Sequence, residues 1–91
     1  MTNPDAVRNS DVPGRILHPS EPWPVGVRVM VRIMIDDPRH KFTDLLGYVR
    51  ADGPLSVTVE TRSGLRTVPR RLIETAKIIP PPPPARKRSM N

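Results

Sequence analysis

The sequence predicts a mainly β domain: a small, strongly bent five-stranded barrel with a short helical turn before its last strand. Three observations carry that expectation. Residues 26–35 alternate Val27, Val29, Val31, Ile33 and Ile35 with Arg28, Met30, Arg32 and Met34, a period of two that fits a pleated strand and no helix. Asp52-Gly53-Pro54 and Ser63-Gly64 then punctuate the chain with strong turn signals. Finally, the aliphatic runs between these turns are short, β-branched and alternating, as in strands half-buried against a core.

The first strand is entered through Pro22-Trp23-Pro24-Val25-Gly26. Two prolines hold Trp23 in an extended path, and Gly26 permits a tight turn into the strand. Trp23 is read as a plug folded over an open end of the core; its competing role is an exposed ligand contact. The plug is favoured because a domain whose aromatics are Trp23, Phe42 and Tyr48 can ill spare its largest apolar side chain. After Ile35 the polar run Asp36-Asp37-Pro38-Arg39-His40-Lys41 lacks a hairpin dipeptide and reads as a long loop. Residues 42–51 form strand two, with Leu46, Tyr48 and Phe42 on one side and a bulge or sharp bend expected at Gly47. Strand three covers residues 55–62, with Leu55, Val57 and Val59 inward, and a hairpin leads to strand four over 65–68. Pro69 ends that strand or lies at its edge. Arg70-Arg71-Leu72-Ile73 is expected to make one helical turn, and residues 74–79 a fifth strand; a helix over 70–77 competes. Closing such a sheet removes edges that would invite aggregation.

Composition bounds the rest. The chain has 91 residues, 13 prolines and no cysteine, which permits one domain and no disulfide or thiolate site. Residues 1–22 are polar and proline-interrupted and read as a disordered leader; residues 23–79 are the barrel; residues 80–91 are a polyproline and basic tail. That leaves roughly 55–60 residues to fold, near the lower limit for an unaided domain. No apolar run reaches the ~20 residues that span a bilayer, and no secretory signal opens the chain, so a monomeric cytoplasmic protein without membrane insertion is expected. The net charge is +6, of which +4 lies on residues 25–79 and +3 on residues 80–91, against −1 before them.

The order of elements resembles the SH3-like barrel, and Val68-Pro69-Arg70-Arg71-Leu72-Ile73 resembles the segment that carries such a barrel from its fourth strand through its helical turn. In combination, Gly26-Val27-Arg28-Val29-Met30-Val31-Arg32, Thr43-Asp44-Leu45-Leu46-Gly47-Tyr48-Val49, Val57-Thr58-Val59, Ser63-Gly64, Thr67-Val68-Pro69 and Ala76-Lys77-Ile78-Ile79-Pro80-Pro81 are similar to the SH3-like domain at the N-terminus of actinobacterial histone-acetyltransferase-like enzymes. Short stand-alone actinobacterial proteins, some labelled ferrous iron transport protein A, are similar too. The resemblance spans residues 23–84 and implies a fold and an accessory role. It implies no catalytic residue, because the acetyl-coenzyme A domain of those enzymes has no counterpart in this sequence.

Several chemistries are disfavoured by the residues themselves. A polyproline-binding groove or a methyl-lysine cage needs several aromatics. His18 and His40 fall in separate loops, and Asp36, Asp37 and His40 have no ligand spacing, so no metal and no cofactor is expected. Without cysteine, a phosphate-binding loop or a Ser–His pairing, the chain is read as non-enzymatic. The expected role is a protein-interaction module with a candidate partner surface of Arg28, Arg32, Arg62, Arg66, Arg70 and Arg71. Two alternatives stand beside it: nucleic-acid binding through the same arginines, and an iron-transport accessory that docks on a membrane transporter. In the tail, Pro81, Pro84 and Arg86 match a Pro-x-x-Pro-x-Arg ligand spacing, with a plain spacer as the competing reading.

Overall fold

Alternating valines organise the protein around one curled antiparallel sheet. The computed structural model describes residues 11–82. Six strands follow in chain order: β1 (Ile16–Leu17), β2 (Arg28–Met34), β3 (Phe42–Asp52), β4 (Ser56–Thr61), β5 (Gly64–Pro69) and β6 (Ile73–Ile78), with a 3-10 turn at Arg70–Leu72 between the last two. Their order across the sheet is β1-β6-β2-β3-β4-β5, with every described pairing antiparallel. A ladder joining β5 to β1 is not found among the described residues.

The period of two sets which face is buried. Val29 and Val31 on β2, Val49 on β3, and Val57 and Val59 on β4 are sealed from solvent, and each contributes about 1.5–3 kcal/mol of burial. Val68, Ile73, Ala76 and Ile78 complete the same face. No helix layer covers it among the described residues, so the sheet must curl over its own inner face to hide these side chains. Trp23 joins them at 3% exposure. Its indole Nε1–H donates to the carbonyl of His18 at 2.9 Å, which satisfies the polar end of an otherwise apolar plug.

The chain enters β2 as the glycine predicts: Gly26 sits at φ 99° and its N–H donates to the Val49 carbonyl at 2.7 Å. Gly64 takes φ 116° at the start of β5 and closes the β4–β5 hairpin. Pro69, at φ −64° and ψ 134°, carries β5 into the 3-10 turn, whose backbone is tied off where the Ile73 N–H reaches the Arg70 carbonyl. A helix over residues 70–77 does not form; β6 follows the turn directly because Ile73, Ala76 and Ile78 all face the core.

Four expectations are corrected. The disordered leader does not extend through residue 22: Ile16–Leu17 pairs with Lys77 and Ala76, Leu17 is 0% exposed, and the sheet has six strands where five were expected. Residues 1–10 lie outside the described residues. Leu55 does not face inward; β4 begins at Ser56, and Leu55 is 82% exposed in the turn before it. The register shift of β3 falls between Val49 and Ala51 rather than at Gly47. Gly47 serves a different purpose, because any Cβ there would run into the Glu60 carbonyl oxygen and lie 2.7 Å from Val59 Cγ1. It is the point where β3 and β4 approach too closely for a side chain.

Candidate functional site

Directly opposed residues of antiparallel strands present their side chains on the same face, so the ladders give the layout of the outer surface. Arg28 lies opposite Tyr48, and Tyr48 opposite Glu60. One register step away, Ile16, Lys77, Met30 and Leu46 form a row across β1, β6, β2 and β3. Arg32 faces Asp44, and Met34 faces Phe42. On the central strands β2 and β3 the outer face therefore sets the apolar pair Met30 and Leu46 between the Arg28–Tyr48 and Arg32–Asp44 rows.

A groove of about 610 Å³ opens on this face, walled by Arg28, Leu46, Tyr48, Arg50, Arg62 and Pro82 with Glu60 at its side. Arg50 donates from Nε to Glu60 Oε1 at 2.6 Å while its guanidinium lies 5.3 Å from the centre of the Tyr48 ring. Arg28 Nη1 donates to the carbonyl of Pro80 at 3.0 Å, and the Ile79 N–H donates to the Arg28 carbonyl at 2.9 Å. These two bonds carry the chain out of β6 and along the groove, so that Pro82 forms part of its rim.

The six arginines of the predicted surface do not form one patch. Arg28 and Arg62 meet at the groove. Arg32 projects from the same face of β2 as Arg28 but is forked onto Asp44, with Nε and Nη2 at 3.0 and 3.3 Å from its two carboxylate oxygens. That pair holds the Asp44 carboxyl below the ordinary carboxylate range, chiefly through the hydrogen bond from Arg32, and raises the Arg32 guanidinium above its own. Arg66 stands opposite Val59 on β5 and borders a separate cavity of about 360 Å³ with Ile33 and Leu45. Arg71 is exposed beside Pro19 and Pro54.

Arg70 is a structural residue. Its side chain is 12% exposed; Nη2 donates to Asp52, Nε to the Gly53 carbonyl at 2.9 Å, and Nη1 to the carbonyls of Pro19 and Glu21 at 2.7 and 2.8 Å. The guanidinium also lies 5.8 Å from the Trp23 ring centre. It gathers the segment before β2, the β3–β4 turn and the 3-10 turn into one joint, which removes it from any docking surface. Of the tail motif, Pro81 is exposed, whereas Pro84 and Arg86 lie outside the described residues.

Arg50, Leu46 and Tyr48 belong to the site although the arginine pattern does not include Arg50. The sequence signal for it was the alternation within β3, which places Leu46, Tyr48 and Phe42 on one side; the partner across the ladder was not legible. The loop between β2 and β3 has a local function, since Asp37 Oδ1 accepts the backbone N–H groups of Arg39 and His40 at 2.7 and 3.3 Å and closes the turn. No group of three or more His, Asp or Glu able to hold a metal occurs among the described residues. No helix among them is long and apolar enough to cross a membrane. Comparison with protein-family models, with curated proteins and with solved structures finds no match.

Proposed function

We propose that this protein is a non-enzymatic interaction module, an SH3-like barrel that docks a partner on the outer face of β2, β3 and β4. The strand order β6-β2-β3-β4-β5 and the 3-10 turn before β6 support the SH3-like reading. The observation that carries the docking reading is the coincidence, on one open face, of a groove with exposed apolar side chains and two arginines engaged in no ion pair among the described residues. Leu46 is 49% exposed beside Arg28 and Arg62, whereas the ion pairs found are Arg15–Glu21, Arg32–Asp44, Arg50–Glu60 and Arg70–Asp52. A site with apolar anchors ringed by charge is the usual anatomy of a protein interface.

The competing nucleic-acid reading loses support from the same layout. It called for six arginines acting together, and these six are spread over several faces, one of them held inside the structure. Affinity capture from the native host, comparing the full chain with Leu46→Asp and Arg66→Glu, tests the proposal. An identified partner lost with Leu46→Asp and retained with Arg66→Glu is the expected result. Recovery of an acetyltransferase or a transporter would assign the accessory role. Capture that Leu46→Asp leaves unchanged would refute the outer-face site.

A further inference from the structure

We infer that the segment docked in this groove is an acidic, aliphatic stretch of polypeptide; the inference rests on the outer-face reading and names its partner's chemistry. Charge is the first argument. Three guanidiniums, of Arg28, Arg50 and Arg62, line the groove against the single carboxylate of Glu60, which Arg50 already holds at 2.6 Å. Two positive charges therefore face the groove without a counter-ion among the described residues. Arg28 is anchored by its bond to the Pro80 carbonyl, an acceptor that orients the guanidinium without neutralising it.

The second argument is the apolar surface beside these charges. Leu46 is 49% exposed in the groove, between Tyr48 and Pro82 in its lining, and Met30 stands opposite it on β2. A nucleic acid has no use for aliphatic side chains of this kind; it would need stacking platforms. The groove holds one aromatic ring, Tyr48, and the Arg50 guanidinium already lies over it. A second copy of this chain would cover Leu46 but would bring the same arginines face to face on two molecules of net charge +6. A peptide that alternates carboxylates with leucine-like side chains satisfies both halves of the surface.

The test is fluorescence anisotropy with the full chain and four labelled probes at 50 mM salt: a 12-residue peptide of glutamate and leucine, its lysine–leucine counterpart, a glutamate-only peptide and a 12-nucleotide thymidine strand. The glutamate–leucine peptide is expected to bind at least fivefold more tightly than the other three. Arg28→Gln and Arg62→Gln should each weaken it three- to tenfold, Leu46→Asp at least tenfold, and 300 mM salt should weaken it further. Trp23 fluorescence reports that each variant is folded. No saturable binding of the glutamate–leucine peptide, or binding indifferent to Arg28 and Arg62, overturns the inference. Tighter binding of the thymidine strand, or self-association that Leu46→Asp abolishes, overturns it in favour of that occupant while leaving the face itself in use. Failure of the outer-face reading is distinct: the captured partner would then survive Leu46→Asp.

Discussion

Replacing Arg70 with Met should cost this protein a large part of its stability, although Arg70 sits in a run of basic residues that reads as surface. The substitution removes five donors from a joint where Asp52 and the carbonyls of Pro19, Glu21 and Gly53 all accept from one guanidinium. Removing one partner of a buried ion pair costs about 3–5 kcal/mol. The Asp52 side chain keeps 21% exposure, so water repays part of that and about 3 kcal/mol is expected. The roughly 70 described residues supply a total stability of about 4–11 kcal/mol, so the loss is severe yet smaller than the upper part of that range. Urea unfolding followed through Trp23, the single tryptophan, measures it. With a slope near 1 kcal/mol per molar for a chain this small, the midpoint should fall by about 3 M. Adding Asp52→Asn should recover about 1 kcal/mol by removing the stranded charge. Arg70→Lys should rescue little, because a point ammonium cannot fork to acceptors on four residues. Arg71→Met, on an exposed neighbour, should stay within about 0.5 kcal/mol of the parent. A midpoint shift below about 1 M for Arg70→Met would refute this reasoning and return Arg70 to the surface.

Gly47→Ala should lower the melting temperature by about 15 °C, equivalent to about 3 kcal/mol, because the new methyl meets the β4 backbone at the Glu60 carbonyl, which cannot yield without opening the ladder. Leu17→Ala should cost about 3 kcal/mol in the same calorimetric measurement, and a chain starting at residue 23 should lose cooperative unfolding by circular dichroism. That truncation also discards the His18 carbonyl that Trp23 uses and two of the acceptors of Arg70. The Asp44 carboxyl should titrate below the ordinary range by NMR, and Arg32→Gln should return it there. Because its pKa is lowered on folding, its small contribution to stability is present above about pH 4 and disappears as pH falls through the lowered folded value.

Local chemistry made most of the strands legible. In β2 the inner and outer faces follow from side-chain direction alone, so Val29 and Val31 could be assigned to the core and Arg28 and Arg32 to the other side before any neighbour was known. The turns were equally local: Gly64 needs a positive φ, and Pro69 presets the geometry that ends β5 and starts the 3-10 turn. Leu17 was not legible, because a two-residue strand is too short to show a period and gains its meaning only beside β6. Leu55 misled, because alternation extends through a turn that the backbone has already left.

The candidate site divides along the same line. The sequence by itself determined a mainly β chain, its alternating faces and a surplus of arginine. Which arginine does what was decided by tertiary structure alone. Arg70 and Arg71 are identical neighbours, yet one is held by acceptors 17, 18, 49 and 51 residues away and the other faces solvent. Arg28 and Arg62 meet at one groove because β3 and β4 bring them together, and Arg32 is neutralised because the ladder sets Asp44 opposite it. Periodicity is a property of consecutive residues; the partners that bury, neutralise or expose a charge are set by the register of the sheet.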